Sequence, residues 1–312
     1  MAIILALVGL ALLYFGGEWL IRGASALAIR LGVSSLAIGL TVVAFGTSAP
    51  ELVVSVDAAL SGANDVAVGN VVGSNIANIA LILGLAALLR PAKVEAKILR
   101  VDAPIMILVS FALLALMADG RAPRLEGCLL LVGLTAYTVF TFWEAGRESQ
   151  QVREEFASAA PEPRSGASAS VFFVVAGFAS LVVGGHLLVT AAVELATLLG
   201  MSQAAIGLTI VAIGTSLPEF ATSVMASLRG NGDIAIGNVV GSNIFNILGI
   251  LGLTAVIHPL ELGAITWLDL GAMVGFACVL GVLLLTRLQL GRAEGAFLLA
   301  GYISYTSWLL AF

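Results

Sequence analysis

The stretch Gly46-Thr47-Ser48-Ala49-Pro50-Glu51 returns 168 residues later as Gly214-Thr215-Ser216-Leu217-Pro218-Glu219, each time setting an acid beside a proline inside an apolar run. A carboxylate in such surroundings is expensive to bury, so its duplication singles out the two hexapeptides as the functional centre. The match spreads outward from them. Residues 32–91 align with 200–259 without a gap, and 37 of the 60 positions are identical. A weaker echo, Arg124-Leu125-Glu126-Gly127 against Arg292-Ala293-Glu294-Gly295, keeps the same 168-residue offset. The chain therefore reads as a tandem duplication: residues 1–143, a polar connector over 144–168, and residues 169–312.

The composition places both copies in a bilayer. Hydrophobic residues make up 60% of the 312 and charged residues only 11%, with a mean hydropathy of +1.09. Soluble domains carry about 25% charged residues. A spanning helix needs about 20 mostly apolar residues. Runs of that length fall near 2–29, 34–60, 65–89, 98–117 and 124–143, then 169–197, 202–228, 233–257, 263–285 and 292–311. The predicted class is an all-α polytopic membrane protein of ten transmembrane helices. Because each half holds an odd number of spans, the second enters from the opposite side, giving two inverted-topology five-helix repeats. The opening run, 2–14, looks superficially like a secretion signal, but its repeat partner at 171–183 makes it a structural helix.

Basic residues set the orientation. With the N-terminus outside, the inner connections hold Arg30, Arg90, Lys93, Lys97, Arg100, Arg147, Arg153, Arg164, Arg229, Arg287 and Arg292, and the outer ones hold Arg121 and Arg124. Both termini are thus expected outside an inner or plasma membrane, with the 144–168 connector cytoplasmic. No basic stripe marks a nucleic-acid surface. Cys128 and Cys278 stand alone in apolar runs and are expected to be buried packing residues. Trp143, Trp267 and Trp308 suit interfacial anchoring.

Within the second and seventh spans, Pro50 and Pro218 lack the N–H that would bond the carbonyls of Gly46 and Gly214, so each helix should kink or break. Exposed backbone is tolerated at membrane depth only where it lines a cavity or a bound ion. Each break brings free carbonyls, two hydroxyls and a carboxylate within one turn. The third and eighth spans add Asn70, Ser74 and Asn78, and Asn238, Ser242 and Asn246, each trio spaced by four along one helix face. Gly69 and Gly73, with Gly237 and Gly241, let a neighbouring backbone approach that face. Asn70, Asn75, Asn238 and Asn243 read as hydrogen-bonding glue between helices, and Ser74, Asn78, Ser242 and Asn246 as ligands nearer the midplane.

These ligands are all oxygens or amides, with no histidine or cysteine, which selects hard cations such as Na⁺, Ca²⁺ or Mg²⁺. Two carboxylates in a flexible cage suit Ca²⁺ better than Mg²⁺. One Ca²⁺ or two to three Na⁺ would neutralise the pair. A cage that accepts either load but resists standing empty in the bilayer enforces exchange. No cofactor is expected beyond the transported ions. Asp65 and Asp233 open the third and eighth spans as caps or dipole partners. Glu18 and Glu194, matched by His186 and Ala26, read as packing or vestibule groups.

The paired motifs, with Gly73-Ser74-Asn75-Ile76-Ala77-Asn78 and Gly241-Ser242-Asn243-Ile244-Phe245-Asn246, resemble the two α-repeats of the sodium/calcium exchanger family, in the form of its prokaryotic members. The resemblance implies a cluster of cation sites made by the second, third, seventh and eighth spans. Glu51 and Glu219 would be the shared Ca²⁺/Na⁺ carboxylates, with Thr47 and Thr215 supplying oxygens. Ser48, Ser216, Ser74, Ser242 and the carbonyls of Ala44 and Ala212 would complete flanking Na⁺ sites, and Asn78 and Asn246 would face the middle. Some relatives, including potassium-dependent exchangers, carry aspartate where this chain has Asn246, so K⁺ co-transport is not expected. The implied activity is Na⁺-for-Ca²⁺ antiport, with Ca²⁺/H⁺ antiport on the same glutamates as the alternative. A channel or an intramembrane hydrolase fits the residues less well.

Overall fold

A computed structural model of the chain describes residues 2–31, 35–147, 167–198, 212–261 and 265–311. Its helices, numbered in chain order, are α1 (Ala2–Leu31), α2 (Leu36–Thr47), α3 (Ala49–Leu60), α4 (Asn64–Leu89), α5 (Ile98–Asp119) and α6 (Arg124–Arg147). They continue with α7 (Ala167–Leu198), α8 (Ala212–Thr215), α9 (Leu217–Arg229), α10 (Gly232–Ile257), α11 (Trp267–Arg287) and α12 (Arg292–Ala311). Seven of the described helices are long and apolar enough to cross a membrane. The bent pair α2–α3 makes an eighth candidate. The first part of the expected seventh span, 202–211, lies outside the described residues, as does most of the connector.

Among the described residues the all-helical expectation holds apart from four two-residue strands: β1 (Ala92–Lys93), β2 (Arg121–Ala122), β3 (Leu260–Glu261) and β4 (Gln289–Leu290). β1 pairs antiparallel with β4, and β2 with β3. β1 and β3 are repeat equivalents, as are β2 and β4, so each ladder joins one half to the other and the two are related by exchanging the halves.

Burial grades the helices by depth in the bundle. In α4 and α10, 78% and 83% of the apolar window is buried, against 28% in each of α1 and α7. The central pair therefore forms the core, and the outer helices show lipid side chains such as Ile3, Leu7, Phe172 and Val175. Cys128 is exposed on α6 and Cys278 half-buried on α11, a correction to the expectation that both are buried. Lipid is apolar enough that a small apolar side chain gains little by facing inward. The three tryptophans are exposed near helix ends, as anchoring requires.

Two hydrophobic clusters divide the interior. The larger joins the faces of α3 to α6 with α10 to α12; the smaller gathers Leu13, Leu20, Ile21 and Ala24 of α1 with Val174 and Leu181 of α7 and a few residues of α2, α9 and α10. α1 and α7 meet along a seam of small residues. Gly9, Gly16 and Gly23 recur every seventh position and face Gly184, Gly177 and Ser170, also seven apart. A Cβ at Gly16 would stand 2.9 Å from Ser180 Cβ, and one at Gly184 would stand 2.9 Å from Gly9 O. A seven-residue repeat of small side chains brings two helices into continuous backbone contact.

Helix ends follow local chemistry. Thr266 caps α11 through a reciprocal box, its Oγ1 accepting from Asp269 N (3.3 Å) while Asp269 Oδ2 accepts from Thr266 N (2.9 Å). Thr266→Ala should lower stability by about 1 kcal/mol, seen as a reduced thermal midpoint in detergent with transport unaffected. Asp65 and Asp233 sit in the first turns of α4 and α10, where a carboxylate complements the positive end of the helix.

Candidate cation-binding centre

The break in the second span falls at Ser48 (φ −83°, ψ 8°), and α2 and α3 meet at a bend of 43°. Pro50 lies in the first turn of α3, where its missing N–H leaves no intrahelical bond unmade. Ser216 (φ −85°, ψ 8°) breaks the seventh span in the same way ahead of Pro218. The bend thus lies two residues before each proline, in the turn where the ring would clash with the carbonyl four residues back. Ala44 O still accepts a bond from Ser48 N (3.1 Å), and Ser48 O accepts one from Leu52 N (3.2 Å). Phe178 of α7 lies over the turn before the break, so close that a Cβ on Gly46 would fall inside its ring.

The breaks bring the two acids to one buried place. Glu51 and Glu219 are each 1% exposed. Each is held by the opposite half: Ser216 Oγ donates to Glu51 Oε1 (3.0 Å), and Ser48 Oγ donates to Glu219 Oε1 (2.7 Å). Ser48 Oγ also lies 3.1 Å from Ser242 Oγ. Thr47 Oγ1 stands 3.2 Å from Asn238 Oδ1, and Thr215 Oγ1 stands 3.3 Å from Asn70 Oδ1.

The asparagines divide into two roles. Asn70 Nδ2 donates to Glu51 O (3.1 Å) and Ser55 Oγ (2.9 Å), while Asn238 Nδ2 donates to Glu219 O (3.5 Å) and Ser223 Oγ (2.9 Å). They fasten each acid-bearing helix to its neighbour. Asn75 and Asn243 meet at the junction of the halves, each Nδ2 donating to the other's main-chain oxygen at 3.4 and 3.3 Å. Asn78 Nδ2 donates to Asn243 Oδ1 (3.1 Å), and Asn246 Nδ2 donates to Ser74 Oγ (3.1 Å) and Asn75 Oδ1 (3.0 Å). At these points α4 and α10 widen into π-type turns over Ala77–Leu83 and Asn246–Leu251.

Four side-chain oxygens of this centre are buried and accept no hydrogen bond from the described residues: Glu51 Oε2, Glu219 Oε2, Asn78 Oδ1 and Asn246 Oδ1. Buried acceptors left open are costly, and oxygens of this kind are the type a hard cation takes as ligands. Each half supplies one carboxylate and one amide oxygen. Of the expected carbonyl pair, Ala44 lies in the last turn of α2 and Ala212 opens α8.

Gly237 and Gly241 hold α2 close to α10; a Cβ at Gly241 would lie 2.5 Å from Leu40 O. The repeat equivalents of that stretch of α2, 204–212, fall mostly outside the described residues. Elsewhere the halves diverge. Beside Ser216 a cavity of about 150 Å³ is lined by Ala77, Leu81, Ile82, Ile213, Leu217 and Phe220. Beside Ser48 the positions of Ala77 and Ile213 are taken by Phe245 and Phe45, whose rings pack at 4.7 Å. The seven-residue glycine spacing of α1 and α7 is visible in the sequence as a period; the serine–glutamate exchange is not, since spacing within one helix does not reveal its partner.

Comparison with known proteins agrees with this geometry. The sodium/calcium exchanger protein family model matches residues 1–143 and 169–311. The chain is 42% identical to a putative antiporter, CaxA, of Alkalimonas amylolytica, with 97% of each chain covered. It is 39% identical to the inner membrane protein YrbG of Escherichia coli, over 99% of this chain and 97% of that one. It is 34% identical to the sodium/calcium exchanger MaX1 of Methanosarcina acetivorans, over 97% and 96%. The solved sodium-calcium exchanger NCX_Mj superposes with a TM-score of 0.86 at 31% identity, covering 98% of this chain and 97% of that one. The chain is an integral membrane cation antiporter, a transporter rather than an enzyme, and it belongs to the sodium/calcium exchanger family.

Proposed function

We propose that the chain exchanges Na⁺ for Ca²⁺ by alternating access to one central site built on Glu51 and Glu219. The observation that carries this reading is a set of four buried oxygens, two of them carboxylate, that accept no hydrogen bond from the described residues and lie on the broken helices and on α4 and α10. Ca²⁺ prefers six to eight oxygens in a flexible cage. The four oxygens, with Thr47, Thr215 and the serine hydroxyls, supply that type of ligand. The asparagine at 246 leaves the centre with two formal negative charges, which one Ca²⁺ neutralises and several Na⁺ replace. Thr47, Ser48, Ser74 and their repeat partners Thr215, Ser216 and Ser242, with the carbonyls of Ala44 and Ala212, flank it as Na⁺ ligands. An empty, doubly charged centre is disfavoured at membrane depth, so loaded states cross and the unloaded one does not.

The arrangement around the site is ten spans in two inverted five-helix repeats, 1–143 and 169–312. Both termini are outside and the 144–168 connector is cytoplasmic. The two small ladders support this: β1 and β4 fall on connections assigned to the inner face, and β2 and β3 on connections assigned to the outer face. α1 and α7, with their own hydrophobic cluster and continuous seam, move as one unit across the remaining helices.

The test is ⁴⁵Ca²⁺ uptake into Na⁺-loaded proteoliposomes of the purified chain, diluted into Na⁺-free medium. Uptake should collapse when Na⁺ is equal on both sides and should not follow an imposed pH gradient. Uptake driven by protons and indifferent to Na⁺ would transfer the same two glutamates to Ca²⁺/H⁺ exchange.

A further inference from the structure

Besides apolar contacts, an ion pair ties the unit formed by α1 and α7 to the rest of the molecule. Arg229, the last residue of α9, places Nη2 2.6 Å from Oε1 of Glu18, more than halfway along α1. One residue earlier the helices are already in close contact: a Cβ at Gly17 would stand 3.2 Å from Met225 Cγ and 3.3 Å from Ala221 O. The inner end of α9 is itself tied to α4, since Arg90 Nη1 donates to Leu228 O (2.8 Å) and Ser227 Oγ donates to Ala86 O (3.0 Å). Glu18 is thereby bound to the fixed part of the molecule rather than to a loose end.

The repeat makes the pair informative. In an inverted duplication the two access states are interchanged by exchanging the halves, so a contact present in both halves would hold both states equally. The positions equivalent to Glu18 and Arg229 are His186 and Ser61, which cannot form a carboxylate–guanidinium pair. We infer that Glu18–Arg229 is a one-sided lock that positions the α1–α7 unit and biases the exchanger toward one of its two access states. This rests on the alternating-access reading. Both side chains are part-exposed, so the bias is the modest one of a surface pair, about two- to fivefold in population.

The test measures position directly and needs no transport. In a background with Cys128 and Cys278 replaced by serine, Gly17→Cys and Met225→Cys should form a disulfide across the α1–α9 contact. Adding Glu18→Gln or Arg229→Gln should slow its formation two- to fivefold, and Glu18→Arg with Arg229→Glu should restore it to within twofold. Unchanged rates in the single variants, or a charge swap no better than either, overturn the lock. A second readout avoids the cysteines: in proteoliposomes of the otherwise unaltered chain, Arg229→Gln should shift Ca²⁺ half-saturation in opposite directions at the two faces. A shift in the same direction at both faces, or none, overturns the lock. If cross-linking responds as expected while Na⁺ gradients drive no Ca²⁺ uptake, the exchange reading fails and the lock stands. Normal exchange with unresponsive cross-linking has the reverse meaning.

Discussion

On the proposed Na⁺/Ca²⁺ exchange, Glu51→Gln and Glu219→Gln should each reduce transport by more than about a hundredfold while the protein still folds. Glutamine keeps the shape and leaves an oxygen for the serine that now donates at 3.0 or 2.7 Å, but it removes one of two negative charges from the cage. A pair of unit charges 4 Å apart is worth about 4 kcal/mol at an effective dielectric near 20, and a divalent ion doubles that term before desolvation offsets part of it. A loss of even 3 kcal/mol exceeds a hundredfold. The amide also turns a donor toward the unpartnered oxygens that would face the ion. Stability separates this from misfolding. In ion-free detergent the glutamine variants should be at least as heat-resistant as the parent, since a buried negative charge has been removed. Added Ca²⁺ should raise the parent's midpoint, by about 2.7 kcal/mol of stabilisation at a hundred times Kd, and leave the variants unmoved. A glutamine variant with normal ⁴⁵Ca²⁺ exchange would remove its carboxylate from the centre.

Gly177→Leu has the other large effect, on assembly rather than on ion binding. A Cβ at position 177 would lie 2.7 Å from Leu20 N and 2.9 Å from Gly16 O, both backbone atoms on a helix that cannot yield locally. α1 and α7 would have to separate along the seam, giving up close packing that dispersion, rather than the hydrophobic effect, supplies in lipid. Overpacking of this kind typically costs about 1–3 kcal/mol and more where backbone is the obstacle. The variant should fail to accumulate as a monodisperse protein, or should unfold at a sharply lower temperature. Gly275→Ala on α11 is the control, because a Cβ there meets nothing within 4 Å. It should be neutral or slightly stabilising. Equal behaviour of the two variants in size-exclusion and thermal assays would show that the seam does not hold the unit together.

Much of the architecture was legible in the chain because bilayer thickness converts hydropathy directly into helix length. α4, α10 and α12 begin and end within a residue or two of the apolar runs that predict them. The duplication made the two acids stand out, and helical spacing put Ser74 and Asn78 on one face. What spacing could not supply was partnership. Ser48 and Glu219 are 171 residues apart, and Ser216 and Glu51 are 165 apart. Nothing within either helix says that each hydroxyl serves the other half's acid. The break was expected at the prolines and lies at Ser48 and Ser216, because proline constrains the residues before it as well as its own turn. Glu18 reads in the sequence as a packing or vestibule group with no named partner, because Arg229 comes from another helix of the opposite half.

The crossed serine–glutamate bonds also bear on how such a molecule could have arisen. The donor that steadies each acid is encoded in the other copy. On the proposed inverted arrangement, one repeat alone would lack the serine donor for its own acid. Once the two were joined in one chain, a change at Ser48 was felt by Glu219 and a change at Ser216 by Glu51. The halves were free to drift apart where they touch lipid, as at Phe45 and Ile213, but bound to change together at the centre.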